Sequence, residues 1–376
     1  MSERDFAIKL IDHYQVWQSE ETLQIRGAAK SLVLKGPVVK QVLPLLLPLL
    51  DGSHTEVEVR ANLAGQPDAR QLGQAFDALH QRGLIERVEP VPPELVVHPQ
   101  PKVDALARHF KNTTPARWAP LLAMQHAPIV VIGSAELLIP LALNLAALLA
   151  REIIVLCDPI SASDIAHSRY LSATDAGVDA AEVIRRNLSA GSACSVRSIA
   201  RRPANVLEWR GLLADAGLAI TAFCMPIVFN SELEAINKAV LAEGIRWLPL
   251  AVVDNRELQV GPAVIPTETA CYKCFEYRFR SNFTHLESYD HFAQAFSAMG
   301  EVVDFGVLGP FAEIAGNFGA IEAMKLLSPE HVAESAGKLV AFSLDTLSAK
   351  HHPVLRIPRC PHCDEYAEQC PERVWA

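Results

Sequence analysis

The sequence predicts an α/β protein in which a small winged-helix module precedes a doubly wound parallel sheet with a structural zinc site. Three observations predict it. From Pro128 onward, apolar runs of strand length alternate with helical patterns, the signature of β-α-β units. Two C-x-x-C pairs, Cys271-Tyr272-Lys273-Cys274 and Cys360-Pro361-His362-Cys363, stand far apart in that same half. Before Pro90 the pattern is short strands, then three helices, then a short strand. The expected division is 1–95 for the first module, 96–127 for a linker and 128–376 for the α/β domain.

The chain has 376 residues and is 50% hydrophobic, enough for two or three domains with their own cores. A formal charge of −9 gives no electrostatic footprint for nucleic acid, so a DNA-binding regulator would rest on the winged helix alone. The N-terminus, MSERDFAIKL, lacks a basic-then-apolar signal peptide. A cytoplasmic, reducing location is therefore expected, with Cys157, Cys194 and Cys224 as buried thiols. The apolar run Ile129–Leu149 is broken by Gly133, Glu136, Pro140 and Asn144, which argues for strand plus buried helix and against a membrane span.

In chain order, Tyr14–Gln18, Thr22–Gly27 and Ser31–Lys35 cluster or alternate apolar residues at strand length. A helix is expected after Gly36-Pro37 through Leu50, kinked by Pro44 and Pro48. A second starts at Thr55-Glu56, with Thr55 as cap. A third runs from Pro67-Asp68 to Arg82, with Leu72, Phe76 and Leu79 on one face. Gly83 ends it, and Leu84–Val88 is a short strand. Five prolines make Glu89–Lys102 an extended linker. Val103–Lys111 is a short helix, and Trp118 with Leu121-Leu122 docks on the following domain.

In the larger half the expected strands are Pro128–Ile132, Arg151–Leu156, Ser195–Ile199, Ala216–Cys224 and Ile245–Val252. The expected helices are Glu136–Ala150, Ala180–Leu188 and Ser231–Glu243. Ligands of such sheets sit outside the strands' C-terminal ends. The first C-x-x-C, a polar loop over Tyr277–Val303, the helix Gly309–Leu327, a hairpin and the second C-x-x-C complete the chain. Arg278, Arg280, His285 and His291 in that loop are either a solvated face or a partner-binding flap.

Four soft ligands satisfy one tetrahedral zinc, and two C-x-x-C turns supply them as Cys271, Cys274, Cys360 and Cys363. With no open position, such a site is structural. Cys370 is an alternative to Cys363, and two unrelated reduced pairs are the plain alternative. His362 inside the second pair reads as exposed.

The N-terminal pattern resembles the peptide-clamp domains called RiPP recognition elements, because Asp68–His80 carries one Arg and two Asp rather than a basic recognition face. The larger half looks like the ThiF-type, ubiquitin-activating-enzyme-like adenylation fold. The matching segments are Ala270-Cys271-Tyr272-Lys273-Cys274-Phe275, Gly306-Val307-Leu308-Gly309-Pro310, Gly319 to Leu327, and Cys360-Pro361-His362-Cys363. Together the chain is similar to the leader-binding, ThiF-like partner proteins of azoline-forming YcaO cyclodehydratases.

The resemblance implies a peptide site at the edge of Ser31–Lys35. Leu32, Val33, Leu34 and Lys35 would give backbone contacts, with Gln71 and Gln74 near the peptide on the third helix. It also implies a nucleotide site, which this sequence matches poorly. Gly133 survives from the Gly-rich turn, but Leu138 stands where the last glycine belongs and Glu136 puts a carboxylate where an anion should bind. Asp158 matches the acidic residue after the second strand, or is a strand-end cap. Arg169 matches the family's Arg, Ala180 replaces its Lys, and Ala222–Asn230 contains no carboxylate for magnesium. The expectation is a non-catalytic scaffold with structural zinc and no ATP of its own. It would bind a precursor's leader and present the core to a separate YcaO cyclodehydratase. A flavin-dependent dehydrogenase is a further implied partner, and pairing of two copies is implied by analogy. The alternative is an active ATP-dependent adenylating enzyme with a divergent nucleotide site.

Overall fold

The computed structural model describes residues 6–11, 15–19, 22–27, 31–35, 39, 41–66, 68–111, 118–224, 232–298, 307–328 and 331–364. The expectations at Tyr14, Pro37, Pro67, Gly306, Cys370 and 225–230 lie outside them. Contacts divide the chain into two units, Met1–Pro92 and Pro93–Ala376.

In the first unit, β2 (Gln15–Gln18), β3 (Thr22–Arg26) and β4 (Ser31–Lys35) form an antiparallel sheet with β3 in the middle. Alternation places Leu23 and Ile25 in the core, with Leu32 and Leu34 packed against it. A second sheet, β5-β1-β6, joins Asp51–Thr55, Ala7–Leu10 and Ile85–Arg87. Its β1 and β5 were not foreseen, because β5 reads Asp-Gly-Ser-His-Thr and carries no apolar alternation. The proline-rich helix is short: α1 (Leu43–Leu46) passes into a 3-10 turn, Leu47–Leu49, with a proline near the start of each. α2 (Glu56–Ala64) begins with the expected cap, a reciprocal box in which Thr55 and Glu58 serve each other's backbone N–H. α3 (Ala69–Gln81) buries Leu72, Phe76 and Leu79.

The second unit opens with α4 (Gln100–Lys111) and α5 (Ala119–His126), where Trp118 and Leu121 are buried. Its sheet has the order β14-β13-β12-β11-β10-β7-β8-β9. The parallel strands are β7 (Ile129–Gly133), β8 (Glu152–Cys157), β9 (Ser195–Ser198), β10 (Leu218–Phe223) and β11 (Arg246–Val253). Antiparallel β12 (Glu257–Val260), β13 (Lys338–Ser343) and β14 (Ser348–Pro353) extend one side. The residues of β7 and β10 are almost all fully buried, as strands covered on both faces must be. The connecting helices are α6 (Ala135–Ala147), α7 (Ala162–His167), α8 (Ala180–Asn187), α9 (Val206–Leu213) and α10 (Glu232–Glu243).

The chain goes from β7 outward to β8 and β9, then returns to β10 on β7's other side. The order therefore reverses between β7 and β10, where open α/β sheets form their ligand crevice. The expected polar loop is largely helical: α11 (Tyr272–Arg280) and α12 (Leu286–Ala298) occupy it. Phe279 meets Phe283 edge-on and Phe283 packs against Tyr289 at a tilt, a local aromatic contact that polar composition concealed. α13 (Gly309–Leu327) lies on α6. A Cβ on Gly316 would come 2.8 Å from the Leu141 backbone, so small residues set that approach.

Candidate functional site

The four cysteines converge. Cys271 stands at the N-cap position of α11 in an extended conformation and Cys274 lies in the first turn, with the Tyr272 N–H donating to the side-chain amide oxygen of buried Asn237 at 3.0 Å. Cys360 and Cys363 lie in a turn entered through Arg359 at φ 54°. The sulfurs of Cys271–Cys274, Cys271–Cys360 and Cys274–Cys363 are 3.8, 3.9 and 3.8 Å apart. All four are buried and lie within 4.8 Å of one another, a group that could hold a metal ion. Four sulfurs about 2.3 Å from a tetrahedral zinc have edges of about 3.8 Å, so the spacing fits. It is far too long for disulfides, whose sulfurs lie about 2 Å apart. The Ile357 N–H donates to Cys274 Sγ at 3.3 Å, and Arg356 lies 3.8 Å from Cys363 Sγ while bonding the carbonyls of Thr267 and Cys363. Hydrogen bonds from Cys271 and Cys363 pull the Cys274 thiol well below its usual range. His362, expected as merely exposed, lies 3.3 Å from Tyr277 Oη.

At the sheet's switch point, Gly133 closes β7 with φ 149°. A Cβ there would lie 1.8 Å from the Ala222 carbonyl oxygen, which accepts from the Ser134 N–H, so only glycine fits this turn. Ser134 stands at the N-cap position of α6 without a side-chain capping bond, and Leu138 is fully buried within the helix. Glu136 is 2% exposed: its carboxylate accepts the Val307 N–H at 2.9 Å and lies 3.9 Å from Cys224 Sγ. The carboxylate expected to oppose a phosphate thus ties the head of α6 to the entry of α13.

Three charged side chains that follow three parallel strands meet one another. Asp158 follows β8, Arg202 follows β9 and Glu232 opens α10 after β10. Arg202 holds Asp158 at 3.2 Å and Glu232 at 2.6 Å. Asp158 is largely exposed, whereas Glu232 is mostly covered, and burial raises its pKa against the opposing pull of Arg202. The neighbouring Cys157 thiol is pushed up to about 12 by burial, which disfavours its thiolate. Arg169 does not join this group: it pairs with Glu313 of α13 at 2.9 Å and bonds Tyr170. Ala180 is buried at the start of α8 and offers no cation. Arg202 and Glu232 were missed in the sequence, Glu232 by lying two residues beyond the carboxylate-free segment.

In the first unit, β4 is an edge strand among the described residues. Leu32 and Leu34 turn inward, while Val33 is 45% exposed and Lys35 is exposed. Gln71 and Gln74 lie on the exposed face of α3.

No family model and no curated protein matches the chain. Solved structures do. The chain is similar to MccB of E. coli with ATP: 18% identity and a TM-score of 0.65 over 95% of this chain and 99% of that one. The Microcin C7 biosynthetic enzyme MccB in complex with N-formylated MccA gives 18% and 0.66 over the same shares. The heterocyclase TruD gives 19% and 0.58 over 95% of this chain and 43% of that one. At these identities the likeness establishes an MccB-like fold. It overturns the expectation of a non-catalytic scaffold: the proteins sharing this fold are a biosynthetic enzyme and a heterocyclase, and the first was crystallised with ATP. The physical reason lies in the crevice. A glycine-poor turn and Ala180 in place of a lysine point to a lost site, yet Arg202 and Glu232, both outside that motif, place a cation and a carboxylate after β9 and β10. Expecting the chain to bind no ATP has no support in either observation. Among the described residues, no helix is long and apolar enough to cross a membrane.

Proposed function

We propose that this chain is an ATP-dependent enzyme that adenylates a ribosomally made peptide. The observation that carries the reading is the fold shared with MccB over 95% of this chain, including structures with ATP and with MccA. A peptide carboxylate oxygen attacks the α-phosphorus of ATP. The bond to the β-phosphate breaks, and pyrophosphate leaves with that electron pair.

In this reading Asp158 faces the ribose hydroxyls, Arg202 meets phosphate, and Glu232 helps hold magnesium, an ion that takes one or two carboxylates plus substrate phosphates. Glu136 keeps anions from the head of α6, so the phosphates lie toward Arg202. Cys271, Cys274, Cys360 and Cys363 hold a structural zinc. The first unit is a winged-helix recognition element whose β4 edge, Leu32 to Lys35, takes the peptide as an added strand, with Gln71 and Gln74 nearby. Val33→Pro would remove a strand donor and abolish peptide binding while zinc content survives. The likeness to TruD favours a second reading of the product, azoline formation, with a YcaO cyclodehydratase and a flavin-dependent dehydrogenase as partner proteins. Pairing of two copies is consistent with the apolar surface at Phe318 and Ile321 of α13.

Calorimetry with magnesium and ATP tests the nucleotide site directly. Dissociation in the micromolar range, about −8 kcal/mol, is expected for the wild type and is weakened at least about tenfold by Arg202→Ala. Absence of any heat of binding removes the enzyme reading.

A further inference from the structure

The register of the β2-β3-β4 sheet says what kind of strand its open edge accepts; this rests on the peptide-edge reading above. Trp17 pairs with Gln24 and Gln24 with Val33, so these three form one cross-strand row on the outward face. Trp17 is 56% and Val33 45% exposed. Lys35 lies in the next outward row, opposite Thr22, and Ser31 in the row on the other side, opposite Arg26. Lys35 and Arg26 are exposed, and neither makes an ion pair among the described residues. The inward rows are Leu23–Leu34 and Ile25–Leu32, which belong to the core.

A strand added at β4 continues these rows in either direction, because side chains alternate with period two. Its residues opposite Leu32 and Leu34 cover a core edge. Its residue opposite Val33 covers an exposed apolar side chain. Its residue opposite Lys35 meets an exposed cation at cross-strand distance, and the residue opposite Ser31 meets the row that holds Arg26.

We propose that this edge selects a peptide strand with three consecutive apolar residues next to an acidic one, the acid lying opposite Lys35. Lys35 is then a specificity-determining residue for the peptide, and Val33 sets the register. The outward face is cationic while the whole chain carries −9, so the selectivity comes from this local pair rather than from the overall field.

A displayed library of random heptapeptides, selected against the full chain, tests this. The wild type should enrich Asp or Glu beside apolar triplets, Lys35→Glu should enrich Lys or Arg at that position, and Val33→Pro should enrich nothing. Single peptides differing by Glu against Lys there should bind the wild type with about threefold or greater preference for Glu. Enrichment that Val33→Pro removes but Lys35→Glu leaves unchanged overturns the acidic preference while the edge site stands. Enrichment that survives Val33→Pro, or none with the wild type, overturns the edge reading and the preference with it.

Discussion

The four-cysteine corner and the switch-point crevice belong to one unit and are assembled in opposite ways. At the corner every ligand is of one type, every sulfur is buried, and the four positions fit one ion at one spacing. In the crevice three charged side chains reach in from separate strand ends: one guanidinium spans two carboxylates, leaving one negative charge in excess. The first arrangement completes the fold. The second is a set of side-chain ion pairs that, in the proposed reading, a bound ligand would rearrange. Geometry is fixed where one small motif is used twice, and partners are exchangeable where long polar side chains meet.

The largest effect expected from this contrast is at the corner. Cys271→Ser should remove the metal and with it a contribution of roughly 10–16 kcal/mol typical of structural zinc, so the second unit loses cooperative melting. Wild-type protein should carry one equivalent of zinc and the variant almost none. Equal stability of the two in calorimetry would show that the corner is no more structural than the crevice.

Gly133→Ala comes next. The new Cβ meets the Ala222 backbone at 1.8 Å in a conformation that favours glycine, and the turn has to move. A loss of about 2–3 kcal/mol is expected in urea unfolding, with zinc content unchanged. Retention of full stability would mean that β7 and β10 are less closely held than the switch-point geometry requires.

Arg202→Ala should cost less, about 1–3 kcal/mol, because the mostly covered Glu232 carboxylate loses its partner. Glu232→Gln in the same background should recover part of the loss, which a double-mutant cycle reads directly. Additive effects would separate the two residues and dissolve the crevice network.

These differences explain what the sequence made legible. C-x-x-C turns are local and chemically specific, so two of them identify a metal corner without any tertiary information. Thr55 with Glu58, and the Leu32/Leu34 alternation, are legible for the same reason: three or four residues carry the whole signal. Arg202 and Glu232 carry none, since an Arg after a strand and a Glu at a helix start are ordinary surface choices until the sheet order brings them together. α12 was hidden because the composition of its segment is polar and its contacts, Phe283 with Tyr289, are made within the loop it replaces. The β1–β5 pair was hidden because a polar strand is specified by its partner and not by its own pattern.

The smallest effect lies outside both sites and calibrates them. His98 is buried, and desolvation, with Lys102 nearby, lowers its pKa, while Gln125 at 3.2 Å opposes the shift. The unfolded chain therefore takes this proton at higher pH than the folded one. Stability from His98 is full above the unfolded value of about 6.5 and is lost as pH falls below it. His98→Gln should flatten that slope in melts between about pH 7 and 5, without changing zinc content; an unchanged slope would assign the pH dependence to other groups.

The central claim, that the crevice activates a peptide carboxylate with ATP, is tested most directly by pyrophosphate exchange. Full-length protein is incubated with ATP, magnesium, labelled pyrophosphate and a peptide recovered from the selection above, with its carboxylate free. Label should enter ATP only when peptide is present; Arg202→Ala and Glu232→Ala should abolish this, and Val33→Pro should lose it at limiting peptide. Exchange that persists in Arg202→Ala and Glu232→Ala, or none with protein that binds both ATP and peptide, would contradict it.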